Sequence, residues 1–512
     1  MSVRSSRHHG DVRGADTRHF SLQFEGRFGR MFRTLPHAVF SPGALMDLGA
    51  KMTSPPDDPP TAETEVDSEE NQGISAGYTY LGQFIDHDLT FDPASSLMQQ
   101  DDPEALVDFR TPRFDLDNLY GRGANDQPYM YEADGLHMQL GRPLTGNAKD
   151  DKTQDLPRHI SLKGGAARAL IGDPRNDENV IVSQLQATML RFHNRMADDN
   201  PGASLDDVQR IVRWHYQYVI LHDFLPTIVG PDMVFSILPH LKSRRSILQD
   251  PPRLAFYKWR NFQFIPIEFT VAAYRFGHSM VRPIYRLNTT LGKNPPPADD
   301  PANGRIPIFD AAGDDKSLTG FREFPSVWAI DWSLFFDMGN NPPQKGVDRL
   351  QRAYKIDTSL VNPLGALPAS VASDPPPSLA QRNLLRGLRM GLPSGQDVAR
   401  AMGVAPLPDD KLMVGKATSD DKPVAASIVD VSAEFRGKAP LWYYVLAEAQ
   451  QQFDGNNATP IRLGAVGGRV VAETMIGLML ADSHSFLAQD PAWTPVKKDF
   501  RMADLIHMAI GR

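Results

Sequence analysis

The sequence predicts a mainly α-helical fold, one large domain with few short strands, and three features carry that expectation. Apolar residues recur at three- and four-residue steps in several long segments, strict alternation of polar and apolar residues is rare, and no unit of about 20 to 50 residues repeats. A chain of 512 residues, 41% of them hydrophobic, can bury a large core. Length alone would allow roughly two to four ordinary domains. The Pro-rich breaks enclose too little apolar sequence to divide the chain with certainty. The expected organisation is therefore an N-terminal arm and Pro-rich segment over residues 1–75, followed by one domain over 76–512.

The elements can be justified in chain order. "YTYLGQFIDHDLTFD", Tyr78 to Asp92, packs Gln83, Asp86, His87 and Asp88 among apolar residues. As a helix it places Gln83 and His87, four apart, on one face, with Asp86 and Asp88 diverging to either side. "VSQLQATMLRFHNRMADD" sets Leu185, Met189, Phe192 and Met196 along one amphipathic stripe. A further helix runs through "LDDVQRIVRWHYQYVILHDFL", with Asp206 or Asp207 near its start and Pro226 after its end. "GGRVVAETMIGLMLADSHSFL" reads as another. The proline clusters "SPPDDPPTAETEVDSEENQG" (54–73), "GKNPPPADDPANG" (292–304) and "ASDPPPS" (372–378) read as surface loops or linkers.

Composition removes several classes of function. With 54 basic and 62 acidic residues the formal charge is −8, and no Lys/Arg-rich run supplies a nucleic-acid footprint. The opening "MSVRSSRHHGDVRG" has no apolar core, and no window approaches 18 uninterrupted apolar residues, so neither a signal peptide nor a membrane span is expected. The expected location is cytoplasmic, with export by a route that needs no signal peptide left open. The chain has no cysteine, which excludes disulfides, thiolate metal sites and Cys nucleophiles, and any dimer would be non-covalent.

Taken alone, the His87 motif has two readings. The ordinary one is a buried histidine hydrogen-bonded by its neighbours, with the aspartates in a capping turn or at the surface. The sharper one is a non-haem iron or zinc site using His87 and an adjacent Asp, which requires a second histidine that the spacing does not supply.

Two other segments change the balance. "GDPRNDENVIVSQLQATMLRFHNRMA" puts Arg175 and Glu178 ahead of the amphipathic helix, and "TVAAYRFGHSMVRPIYRLN" puts His278 in an apolar segment with Arg275 one turn earlier. Taken in order, "GQFIDHD", "GDPRNDE…LRFHNRMA", "LHDFLPTIVG", "YRFGHSMVRP" and "NLLRGLRMGLP" resemble the animal-type haem peroxidases of the peroxidase-cyclooxygenase superfamily. The likeness is to the peroxidase branch that includes myeloperoxidase and lactoperoxidase. It runs from about Tyr78 to Pro393, is weaker around "VGGRVVAETMIGLML", and leaves out the N-terminal segment and the Pro-rich inserts.

The resemblance implies a helical domain built around a buried haem b. His278 would ligate the iron, with Asn383 accepting a hydrogen bond from its second ring nitrogen. His87 would move the peroxide proton, Arg175 would stabilise the charge that develops, and Gln83 would hold distal water or a small anion. Asp86 and Glu178 match the carboxylates that become ester-linked to haem methyl groups in this family; unesterified, they would be ordinary pocket acids. Asn179 stands where myeloperoxidase has a methionine, so a sulfonium link is not expected. Arg386 would bind a haem propionate, with a surface arginine as the alternative reading, and Arg275 is placed among the cofactor-binding residues. Asp88, Thr111, Asp115 and Asp117, with the Arg113 carbonyl, match a calcium site; hydroxyl, carbonyl and carboxylate oxygens are what calcium prefers.

His193, His215 and His222 lie on apolar helices and read as satisfied core histidines. The expected activity is reduction of hydrogen peroxide with small organic donors or halide and pseudohalide anions. A fatty-acid dioxygenase of the same superfamily is the competing enzyme reading. Its radical tyrosine stands three residues before the proximal histidine, where this chain has Arg275, with Tyr274 one place earlier. A catalytically silent haem- or calcium-binding scaffold is the third reading, and the complete Gln83, His87 and Arg175 set argues against it.

Overall fold

Asn179 starts the helix Val180–Asp199: its Oδ1 accepts from the N–H groups of Ile181 and Val182 at 3.1 and 2.9 Å. All four residues of the expected stripe are buried, because the helix lies between Gly77–Leu89, Leu205–Val219 and the C-terminal helix Met502–Ile510. The computed structural model describes the chain apart from residues 1–25, 57–65, 91–106, 109, 160–163, 166, 259–262, 293–303, 311–315, 340, 370, 373, 420–425 and 512. The two longest proline clusters thus lie partly or largely outside the described residues. Among the described residues the fold is mainly helical with few short strands, and no helix is long and apolar enough to cross a membrane.

Leu205–Val219 opens on a capping box between Ser204 and Asp207, and Asp206 and Asp207 both lie in its first turn. Pro226 differs from expectation. A π-helical turn, Ile220–Phe224, carries the winding into Leu225–Val229, and Pro226 sits in the first turn after it, so the proline follows the wider turn instead of ending the helix. Gly230, at φ 84°, ends the run instead.

The His278 segment is not a regular helix. Glu268–Ala272 is a π turn and Ala273–His278 is 3-10, clasped by helices Leu379–Arg389, Leu441–Gln450 and Ala465–Ala481. It is tied to the His87 helix, Gly77–Leu89, by Tyr274, whose hydroxyl donates to the Gly82 carbonyl at 3.1 Å. The start of that helix has to be glycine: a Cβ on Gly77 would come within 2.5 Å of the Phe336 ring and 2.7 Å of the Phe335 carbonyl. Further upstream, Pro42–Lys51 packs on Leu379–Arg389, and Arg30 donates to the carbonyls of Gly391 and Met390 at 2.7 and 2.9 Å.

The first proline cluster was expected to be surface loop throughout, but its end is core. Glu70–Ser75 is a strand paired antiparallel with Arg352–Tyr354, and Glu70 and Asn71 are fully buried. The reason is charge: Glu70 accepts from Arg282 at 2.7 Å and from both terminal nitrogens of Arg349, so one carboxylate neutralises two buried guanidinium groups. Arg282 lies four residues after His278, which fastens the His278 segment to the strand pair. Glu70→Ala would remove the carboxylate shared by two buried guanidinium groups, leaving Arg282 with Asp67 at 4.0 Å, and chemical denaturation should show a loss of about 3–5 kcal/mol. Breaking the exposed Arg195–Asp199 pair should leave the denaturation midpoint almost unchanged.

Candidate active site

Gln83, Asp86 and His87 project from one helix toward the Pro174–Asp177 turn and Glu178. Asp173 caps that turn, accepting from the Arg175 N–H at 2.8 Å. His87 Nδ1 lies 2.7 Å from Asn176 Oδ1, and its Nε2 lies 3.8 Å from Glu178 Oε1. Gln83 donates to that same Glu178 oxygen and accepts from Asn179 Nδ2 at 3.1 Å. The Gln83 amide is therefore held by Glu178 and Asn179 on both sides. The Arg175 guanidinium bonds to Asp173 at 2.8 Å, to the His87 carbonyl at 3.2 Å and to the Thr90 carbonyl.

Burial governs the acid–base state of this cluster. It pushes the His87 imidazole down to about 3, with the nearby Arg175 charge adding to the effect, so the ring is neutral near pH 7. It pushes Glu178 up to about 7 and raises Asp86, against the opposing pull of Arg175. Burial also works against the Asp173 anion, but the hydrogen bond and charge of Arg175 and the charge of Arg110 win, holding it below the usual carboxylate range. The Glu178 side chain is 37% accessible although its acidity is that of a desolvated group, against 6% for His87.

A second set lies across the Tyr274 link. His278 is half-buried, and burial together with Arg275 drives its imidazole down to about 3. Beside it, a Cβ on Gly277 would meet nothing within 4 Å, so the chain leaves room next to the ring. Asn383, fully buried on Leu379–Arg389, reaches His278 Nδ1 at 2.7 Å. Burial pushes Arg275 down to about 10, opposed by Asp86 and reinforced by the neighbouring Arg386. The Trp442 indole donates to the Arg275 carbonyl at 3.2 Å.

The polarity of the His278–Asn383 bond is the reverse of the expected one. Arg275 has only donors, and it claims Asn383 Oδ1, which turns the amide Nδ2 toward His278 Nδ1. His278 Nδ1 is thus the acceptor, and Asn383 the donor.

The expected calcium ligands gather around Asp88. Its carboxylate is fully buried and neither oxygen meets a donor at hydrogen-bond geometry, although the Leu116 N–H and the Tyr216 hydroxyl approach it. Burial raises it well above the usual range, and the charges of Asp115 and Asp117 raise it further. Thr111 donates to Asp115 at 2.6 Å, and Leu116, at φ 59°, makes the left-handed turn between the two aspartates. The Arg113 side chain turns away, toward Gln263 and Asp482. Among the described residues no three His, Asp or Glu side chains form a closed metal-ligand set.

His193 bonds to the Tyr120 hydroxyl and the Leu136 carbonyl, His215 to the Ile211 carbonyl, and His222 stacks on Tyr218, so all three are satisfied within the protein. The sequence reading missed Asn176, Gln186, Asp173 and Arg110. The Asn and Asp of "GDPRNDE" look like ordinary turn residues, and only burial distinguishes them.

Residues 98–323 match the family model for animal haem peroxidase, a span that holds Arg175, Glu178 and His278 but neither His87 nor Asn383. The chain is 30% identical over 151 residues to chorion peroxidase of Drosophila melanogaster, covering 28% of this chain and 18% of that one. It is 27% identical over 148 residues to Homo sapiens myeloperoxidase, covering 27% and 17%. These matches span less than a fifth of those relatives' length. In fold it is similar to peroxidase A from Dictyostelium discoideum, with a TM-score of 0.54 at 15% identity over 95% of this chain and 92% of that one. A fatty acid alpha-dioxygenase of Arabidopsis thaliana gives a TM-score of 0.52 at 14% identity over 92% and 76%.

Glu178 sets a pH dependence whose sign can be worked out. A carboxyl raised to about 7 in the folded chain and near 4.3 unfolded favours folding fully at low pH and loses that contribution as pH rises through 7. Glu178→Gln removes the effect. Urea unfolding of the haem-free chain should show the variant gaining on wild type from pH 4.5 to 7 and levelling off above.

Proposed function

We propose that this chain, a member of the animal haem peroxidase superfamily, binds haem b between His87 and His278 and reduces hydrogen peroxide with electrons from small organic donors or halide-like anions. The observation that carries the reading is the buried His87, Arg175, Gln83 and Glu178 cluster, tied to the His278 segment by the Tyr274–Gly82 bond and by the charge of Asp86 acting on Arg275. The residues present fit the cofactor. His278 would face the iron beside the room left at Gly277, Arg275 and Arg386 would take the propionates, and Asp86 and Glu178 would lie against the haem edge, where ester links can form. Haem, when bound, supplies the iron at which the peroxide O–O bond is broken and the oxidising equivalents are kept.

The rest falls to the chain. With haem in place His87 Nε2 would take a proton from one peroxide oxygen and return it to the other, which would leave as water. A ring neutral near pH 7 is in the right state to begin. Arg175, held by Asp173 and two carbonyls, adds a fixed positive charge beside that transfer without having to reorganise. Asp88, Thr111, Asp115 and Asp117, with the Arg113 carbonyl, would take calcium. The bare buried Asp88 carboxylate supports this, since a cation would supply the partner that it lacks. Tyr274 supports the peroxidase over the dioxygenase: its hydroxyl is engaged by Gly82 and its ring stacks on Phe269, while Arg275 stands three residues before His278.

The test is acid-acetone extraction and intact mass after loading with haem and a few equivalents of peroxide. Haem mass should stay on wild type and leave Asp86→Val/Glu178→Gln, and His87→Leu should slow the reaction with peroxide by about 10²–10⁴-fold. Complete extraction from wild type would remove the ester claim. Consumption of a saturated fatty acid in place of peroxide turnover would transfer the assignment to the dioxygenase.

A further inference from the structure

His87 Nδ1 begins a chain of three buried contacts. Asn176 Oδ1 lies 2.7 Å from it, Asn176 Nδ2 donates to Gln186 Oε1 at 2.8 Å, and Gln186 Nε2 donates to the main-chain carbonyl of Asn118 at 3.2 Å. Asn118, Asn176 and Gln186 are all fully buried. A carboxamide can be turned end for end, so no single one of these bonds fixes a direction. The carbonyl at the end can: it accepts and never donates.

The direction follows link by link. Facing a carbonyl, Gln186 must present its NH₂ and so turns its oxygen to Asn176. Asn176 must then present its own NH₂ to Gln186 and its oxygen to His87. Facing an oxygen, a neutral His87 must carry its proton on Nδ1. The opposite tautomer would set two acceptors 2.7 Å apart at His87, and inverting the amides only moves the conflict to Gln186 and Asn118. The anchor is itself fixed: Asn118 O also accepts from the Asp173 N–H at 3.2 Å, and Asn118 Nδ2 donates to the Phe84 carbonyl at 3.1 Å on the His87 helix.

We infer that the Asn118–Gln186–Asn176 relay holds His87 in the Nδ1–H tautomer and leaves its Nε2 lone pair bare on the Glu178 side, 3.8 Å from Glu178 Oε1. Asn176 and Gln186 are positioning residues: they touch no reacting atom and act through His87. A buried acceptor facing an acceptor favours the held tautomer by roughly 10- to 100-fold. Imidazole in water populates both tautomers, so without the relay part of the population would turn a proton, not a base, toward the peroxide. The inference rests on the distal-base reading for its catalytic meaning and on the relay alone for the tautomer.

Imidazole ¹⁵N NMR of the histidine-labelled full chain reads the two nitrogens separately, with and without zinc protoporphyrin and with His87 assigned through His87→Gln. Wild type should show Nδ1 protonated and Nε2 bare. Asn176→Ala and Gln186→Leu should show both tautomers, and with haem should react with peroxide about 10-fold more slowly. A protonated Nε2 or an even mixture in wild type overturns the relay without Asn176→Ala or Gln186→Leu having to fold. An unchanged tautomer in Asn176→Ala overturns it too. If the tautomers shift as expected while the peroxide rate stays constant, the relay stands, and it is the role of His87 as base that fails.

Discussion

Two groups with no choice of role set the polarity of the buried interior: the Arg275 guanidinium, which only donates, and the Asn118 carbonyl, which only accepts. Every carboxamide between them and the two histidines could be written either way round, and burial is what makes the choice binding. A group with no water to turn to loses a full hydrogen bond when it faces its like, a penalty of about 1–3 kcal/mol. From Asn118 the order runs through Gln186 and Asn176 and ends with His87 as donor. From Arg275 it runs through Asn383 and ends with His278 as acceptor. The two imidazoles are therefore held in opposite senses by the same physics.

Charge is arranged to the same end. Asp173 lies between Arg175 and Arg110, so the one strong anion of the distal side is spent on two cations, which then keep fixed places. Asp86 and Glu178, lacking such close partners, are shifted toward their neutral forms. On the other side burial makes Arg275 hold its proton less tightly, with Asp86 opposing the shift and the neighbouring Arg386 adding to it.

The sequence made the helices legible because their signals are local. The stripe through Leu185, Met189, Phe192 and Met196, and the first-turn acid at Asp207, each depend on residues within two turns. The candidate site was legible only as a resemblance, since His87, Glu178, His278 and Asn383 come from four distant segments. What escaped was whatever depends on burial or direction. Pro226 stops a helix unless a π turn precedes it, and nothing in "ILHDFLP" announces one. Glu70 follows a polar, Pro-rich run, and its burial requires Arg282 and Arg349, more than 200 residues away. Asn176 and Gln186 are unremarkable in composition, and their meaning lies in which end of each amide faces which neighbour.

The reversed Asn383 has a consequence for cofactor binding on the proposed reading. A histidine that ligates through Nε2 must carry its proton on Nδ1, and so needs Asn383 to offer its oxygen. Asn383 cannot turn while Arg275 holds that oxygen, because inversion would set the amide NH₂ against a guanidinium. Arg275 can let go only if another acceptor takes its place, and the acceptor it is suited to take is a carboxylate. Engagement of a carboxylate arm by Arg275 and conversion of His278 to the ligating tautomer are then one event, linked through a single amide. His87 needs no such conversion, since the relay already leaves its Nε2 bare. On that reading the His87 side would be set before a cofactor arrives, and the His278 side would be completed by the cofactor's own carboxylates.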